Sequence, residues 1–243
     1  MFLAINMTLN RALIVFSVIA SAVSAFGWSD YSTEQVFTEI YRQKKFGYNN
    51  QGEGHSGGGS TLQATAAYRE FLQNFFEVFD IHSVVDLGCG DWEFSQAIDW
   101  KGINYSGFDV VGDIIKKNQK RYQSDHIHFF HADGANVELP PADLLICKDV
   151  FQHLPIADIF AIINQFPKFK YCLITNDVDA KTGTSANVEV DLSIFRTLDV
   201  SWPPFHTLDL TKPPFNLKGI KIFSYGLLGD VYKQVLFIKS QKI

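Results

Sequence analysis

The sequence predicts an α/β fold built on a seven-stranded, mostly parallel sheet, with an antiparallel final strand pair and helices on both faces. Three observations predict it. From residue 83 onward, apolar runs of strand length alternate with helix-patterned stretches, and parallel neighbours need such crossovers. Runs such as "LLIC" (144–147) are continuously apolar, as expected of strands covered on both faces. The last two runs have only "LLGDVY" between them, too short for a helix, so they pair antiparallel.

The elements follow in order. "STEQVFTEIYRQ" (32–43) reads as a helix with Ser32 or Thr33 as its cap. The glycine-rich stretch "GYNNQGEGHSGGGST" (47–61) holds neither helix nor strand. It is either a flexible linker or a lid whose Gly57, Gly58, Gly59 and Ser60 fold over a ligand. "LQATAAYREFLQNFFEVF" has apolar residues at helical spacing. Strands are expected at "SVVDLGC", "NYSGFDVV", "IHFFHAD", "ADLLICKDV", "KYCLITND", "IKIFSYG" and "KQVLFIKS". Helices are expected at "DWEFSQAI", "GDIIKKNQKRYQS" and "IADIFAIINQF". The duplicated "TLDVSWPPF" (197–205) and "TLDLTKPPF" (207–215) read as a rigid connection, or as an insertion edging the site.

Composition narrows the function. The 243 residues are 47% hydrophobic and 19% charged, which is ordinary globular composition. A net charge of −5 argues against a dedicated nucleic-acid binder. The run Lys116, Lys117, Lys120, Arg121 has helical spacing and reads as a solvated face. Cys89, Cys147 and Cys172, and the scattered histidines, complete no zinc pattern, so no metal is expected.

The amino terminus differs. Asn10 and Arg11 precede an apolar run, then small residues ending at Ala25. Residues 1–25 read as a signal peptide, with a signal anchor second, since the run is short for a span of about 20 residues. Export or secretion is therefore expected. A membrane-anchored or cytoplasmic protein is the alternative, with membrane contact only if the segment is retained. Residues 26–65 then carry the first helix and the glycine stretch, and 66–243 the α/β domain.

The chemistry concentrates in "VVDLGCGDW" (84–92). A strand ends in a turn containing Gly88 and Gly90, which lets a ligand approach the backbone at a helix N-terminus. A dinucleotide site wants G-x-G-x-x-G, but here Asp91 and Glu93 follow and no third glycine does. Two acids disfavour a pyrophosphate and suit a cationic ligand. This segment resembles motif I of class I S-adenosylmethionine-dependent methyltransferases, whose fold is Rossmann-like. More narrowly, "DLGCGDW", "KDVFQHL", "LITND" and "PPFNL" resemble a bacterial group of unassigned substrate. The resemblance covers roughly residues 66 to 240.

It implies S-adenosylmethionine as cofactor, held by Asp86, Gly88, Cys89, Gly90, Trp92, Asp109, Val110, Asp133 and Lys148. Asp109, 23 residues beyond Asp86, matches the acid that bonds the ribose hydroxyls, and Asp133 the acid near the adenine. Trp92 either packs by the sulfonium or serves helix packing. Residues after Cys147 then face the methyl group. His153 is the candidate base, because an ordinary imidazole exchanges protons near neutrality; the alternative is a structural histidine. Asp149 orients it or binds the acceptor, unless Lys148 pairs with Asp149 structurally. Asn176, Asp177 and Arg196 line the acceptor pocket or serve as turn and cap residues.

The expected activity is methyl transfer to a small-molecule or glycan-type acceptor, with oxygen preferred. An exported enzyme acting on protein and a non-catalytic secreted binding protein of the same fold are the alternatives. A nicotinamide oxidoreductase is disfavoured by the missing third glycine.

Overall fold

The computed structural model describes residues 32–49, 51–183, 185, 187 and 207–240. The expected signal peptide (1–25), Arg196 and the first copy of the proline repeat lie outside the described residues. The described chain beyond residue 31 forms one unit.

Helix α1 (Thr33–Arg42) opens with the expected Ser32 cap, in a reciprocal capping box with Gln35. Helix α2 (Ala66–Val78) presents Tyr68, Leu72, Phe75 and Phe76 to the core. Strand β1 (Ser83–Leu87), strand β2 (Asn104–Asp109), helix α3 (Gly112–Tyr122), strand β3 (Ile127–His131), strand β4 (Ala142–Lys148) and helix α4 (Ile156–Ile163) follow. Strand β5 (Phe169–Asp179) leads to the closing pair, β6 (Ile220–Leu228) and β7 (Val231–Lys239). Among the described residues no helix is long and apolar enough to cross a membrane.

The seven strands run in the order β3-β2-β1-β4-β5-β7-β6. β3, β2, β1, β4 and β5 are parallel, and β7 joins antiparallel to both β5 and β6. Side-chain alternation along each strand divides the interior in two. Val84, Leu144, Ile146 and Leu173 meet α2 and the aromatic residues of 92–105 on one face. Val85, Leu87, Leu145, Cys147 and Ile174 meet α4, Leu208, Leu210 and Phe215 on the other. The described copy of the proline repeat is thus part of the second core.

One expected helix is missing. After Gly90 the chain forms only a 3₁₀ turn, Ser95–Ala97. Gly90 (φ 55°) and Trp92 (φ 61°) are both left-handed, which interrupts helix initiation. Trp92, Phe94, Ile98 and Trp100 are all buried, a wider apolar arc than one helix face supplies. The glycine turn therefore does not lead into a helix N-terminus.

Candidate functional site

Strand order reverses between β1 and β4, which leaves a crevice at their carboxyl ends. A cavity of about 800 Å³ opens there. It is lined by Gly88, Gly90, Asp109, Val110 and Asp133 on one side, and by Lys148, Asp149, Gln152 and His153 on the other. Six of the nine expected cofactor residues thus share one space with both candidate catalytic residues, Asp149 and His153.

Three of the nominated cofactor residues do not line it. Trp92 is buried among Trp100, Tyr105, Tyr122 and Phe129, with ring centroids 4.9 to 6.5 Å away. It is a core residue, not a sulfonium partner, because its left-handed backbone turns the indole inward. Cys89 is buried in the same core, where burial pushes its thiol well above the ordinary range. Asp86 lies beneath the site, accepting the Tyr105 hydroxyl at 2.7 Å. Burial raises its carboxyl to about 6, against the Tyr105 bond and the Lys148 charge.

Asp109 ends β2 at the cavity wall. Its two oxygens accept the N–H groups of Gly90 (3.0 Å) and Val111 (2.9 Å). Burial lifts its pKa to about 6, and those two bonds hold it from rising further. Asp133 at the end of β3 accepts from Ala135 N–H (3.0 Å) and Asn136 Nδ2 (2.7 Å). Both carboxylates keep acceptor capacity for hydroxyl and amino donors. Among the described residues no α-helix follows the glycine turn directly, so the turn-to-helix phosphate cradle of dinucleotide sites does not form there. These acceptors fit the hydroxyl and amino donors of a phosphate-free nucleoside.

Part of the glycine-rich stretch, residues 56–61, lies against the cavity as a lid would. Ser56 Oγ donates to Asp91 Oδ1 (2.8 Å), accepts Asp91 N–H (2.8 Å) and meets Tyr41 Oη (2.7 Å). A Cβ on Gly90 would lie 2.2 Å from Ser56 Oγ, so glycine there admits the lid. Further along, a Cβ on Gly59 would meet Lys233 Cε at 2.9 Å and Asp149 Oδ2 at 3.3 Å. The expectation that Asp91 and Glu93 balance a cationic ligand fails: neither lines the cavity. His55, Asp91 and Glu93 instead bring one polar atom each within 4.8 Å of one another. His55 Nδ1 accepts the Gly57 N–H at 3.0 Å. The basic run on α3 also serves the lid, since Lys117 and Arg121 pair with Glu53 at 3.0 and 3.3 Å.

At the acceptor end lies a buried ionic network. Lys148 Nζ reaches Gly59 O (3.0 Å) and Asp149 Oδ2 (2.5 Å). Lys233 Nζ joins Asp149 Oδ2 (2.8 Å) and Asp177 Oδ1 (3.1 Å). Gln152 exchanges two hydrogen bonds with Asp177, through its backbone N–H (2.7 Å) and its carboxylate (3.2 Å). Burial alone would raise the Asp149 carboxyl, but Lys148 and Lys233 outweigh it and hold it at about 2. Burial lowers Lys148, as does the Lys233 charge, and Asp149 and Asp177 restrain the shift. Asn176 is buried away from this cavity.

His153 lies on the 3₁₀ turn after β4, its N–H bonded to Val150 O at 3.0 Å. Its ring packs against Phe37 of α1 and Phe46, with centroids 6.2 and 5.6 Å away. Phe37, Phe46 and Lys233 were not singled out in the sequence. Only the pairing register of β5 with β7, which sets Lys233 opposite Asp177, would have brought Lys233 in.

Residues 84–168 match the family described as Methyltransferase domain. No curated protein matches. Human N-acetylserotonin methyltransferase, solved with S-adenosylmethionine, aligns with a TM-score of 0.55 at 13% identity, over 95% of this chain and 67% of its own. The N-methyltransferase NodS from Bradyrhizobium japonicum, solved with S-adenosyl-L-homocysteine, aligns with a TM-score of 0.54 at 11% identity, over 74% and 88%.

Proposed function

We propose that this chain is a class I S-adenosylmethionine-dependent methyltransferase, that it acts on a small-molecule or glycan-type acceptor, at oxygen, and that it is exported. The observation carrying the reading is that Gly88, Gly90, Asp109 and Asp133 share one cavity with Asp149 and His153. The cofactor, when bound, supplies an electrophilic methyl group. Asp109 would hold its ribose hydroxyls, Asp133 would face its base, and Val110 and Leu87 give apolar wall. Enclosing two reactants in alignment supplies much of the rate of such a transfer.

The remaining chemistry is removal of the acceptor proton. Asp149 is a weak base, because two ammonium groups hold it ionised at about 2. It is therefore a positioning group. His153 takes the proton, and Phe37 and Phe46 fix its ring. The lid supports a small acceptor over a protein side chain, since Gly57, Gly58, Gly59 and Ser60 cover the network holding Asp149.

Transfer of labelled methyl from S-adenosylmethionine into extracts of the source organism tests the activity, and an unlabelled low-molecular-weight fraction would defeat the small-acceptor reading. With the acceptor in hand, His153→Ala is expected to lower turnover about 100-fold, the lower end for a proton-transfer group. Cofactor affinity should stay near wild type; a collapse of affinity would make His153 a structural residue. Export is tested by sequencing the mature chain, which should begin near Phe26.

A further inference from the structure

Two polar atoms at the cavity wall stand out. Tyr225 Oη and Asp149 Oδ1 are buried and have no hydrogen-bond partner among the described residues, and both residues line the cavity. Buried polar atoms are nearly always paired, and an unpaired one costs about 1–3 kcal/mol. Neither atom can easily turn elsewhere. The Tyr225 ring is stacked between Tyr68 (5.2 Å, 18°) and Phe223 (5.5 Å, 21°). Asp149 is fixed by its left-handed backbone, by its N–H on Thr175 O (2.9 Å), and by two lysines on its other oxygen. The two atoms do not bond each other, yet the Asp149 charge adds to burial in raising the Tyr225 phenol.

One side of this pair can donate and the other only accepts. We propose that Tyr225 and Asp149 form a seat for a hydroxyl group of the acceptor, which accepts from Tyr225 Oη and donates to Asp149 Oδ1. The inference rests on the methyltransferase reading and names the acceptor class within it. A hydroxyl suits the seat better than an ammonium group. Lys148 and Lys233 already stand 2.5 and 2.8 Å from the same carboxylate, and a third cation there would be repelled.

The seated hydroxyl is not the one methylated. Tyr225 belongs to the core on the α2 face, whereas Phe37, which holds the His153 ring, packs against the core on the α4 face. An acceptor meeting both carries two oxygen substituents, one toward each face. Phe37, Phe46, Val150 and Leu154 give the cavity apolar and aromatic walls between them, which fits an aromatic ring as the spacer. Tyr225 is thus a positioning residue that selects a dihydroxylated aromatic acceptor.

The test uses the whole chain saturated with S-adenosylhomocysteine and three probes, titrated by calorimetry. The probes are 4-methoxyphenol, 1,4-dimethoxybenzene and 4-methoxybenzylamine. The phenol should bind at least about tenfold tighter than the dimethoxy compound, which corresponds to about 1.4 kcal/mol. Tyr225→Phe keeps the ring stack and should reduce phenol binding to the dimethoxy level, with S-adenosylhomocysteine affinity unchanged and Tm unchanged or higher. Tyr68→Phe removes another buried hydroxyl, one off the cavity, keeps the ring stack, and should leave phenol binding alone. The proposal is overturned if the phenol fails to bind, if 1,4-dimethoxybenzene and 4-methoxyphenol bind alike, if Tyr225→Phe binds the phenol normally, or if the amine binds tightest. Loss of S-adenosylhomocysteine binding itself would remove the methyltransferase reading along with it, a distinct result.

Discussion

Asp109→Ala is expected to weaken S-adenosylmethionine binding about a thousandfold, since two charge-assisted hydrogen bonds at roughly 1.5–3 kcal/mol each are lost with the carboxylate. The carboxylate has two duties. It would accept the ribose hydroxyls, and it already accepts the N–H groups of Gly90 and Val111. Removing it therefore unties the glycine turn as well as the ligand. Asp109→Asn separates the duties, because an amide keeps one acceptor oxygen and turns a donor toward one of those N–H groups. It should bind weakly too, and calorimetry on both variants measures the difference. Unchanged affinity in Asp109→Ala would defeat the ribose assignment.

The same carboxylate sets a pH dependence. Asp86 and Asp109 are each raised to about 6 by burial, above an ordinary value of about 3.9. A raised carboxyl pKa favours the neutral form in the folded state. Its stabilising contribution is complete below about pH 4 and is lost as pH rises through about 6. Cofactor affinity runs the opposite way, since the ribose wants the ionised acceptor and should be held less tightly below pH 6. Thermal melts of the free protein and titrations with cofactor between pH 5 and 8 should show these opposed trends.

Much of this arrangement was legible in the sequence, and its gaps have physical causes. Continuous apolar runs separated by helical patterns fixed the seven strands, and the short "LLGDVY" joint set the antiparallel close. Strand ends bring Asp109, Asp133, Lys148, Asp149 and His153 to one cavity, as an open parallel sheet leads one to expect. Sequence leaves Trp92 open between sulfonium and packing roles and predicts a helix after Gly90, because local pattern carries no sign of left-handed backbone at a tryptophan. Asp91 and Glu93 were read as facing a ligand when they face Ser56 and His55. That error came from long-range packing of the lid, which glycine content alone leaves open between linker and cover. Lys233, Tyr225 and Phe37 enter the site from distant strands and a helix, and only the tertiary register brings them in.

That register also makes Asp149 the residue whose loss should cost most stability. Its Oδ2 joins two lysines whose ammonium groups are almost wholly buried. Removing one partner of a buried ion pair typically costs about 3–5 kcal/mol, because the other charge remains without compensation. Asp149→Asn is the sharper test than alanine. Asparagine tolerates the left-handed backbone at φ 58° and matches the shape, so the change isolates the charge. Lys148 would lose its carboxylate counter-charge and Lys233 would keep the charge of Asp177 alone, while the amide oxygen can still accept from either ammonium group. Asp149→Asn should therefore lower the urea midpoint by an amount equivalent to about 3 kcal/mol, and a loss under about 1 kcal/mol would mean the network adds little. The sign with pH follows from the depressed pKa. Burial raises the group, the two lysines bring it to about 2, and the stability it contributes is present above about pH 4 and lost as pH falls through about 2. Wild type and Asp149→Asn should therefore differ by a constant amount between pH 5 and 8 and converge only in strong acid. Adding Lys233→Met to Asp149→Asn removes one of the stranded charges, and should recover part of the loss that the single change produces.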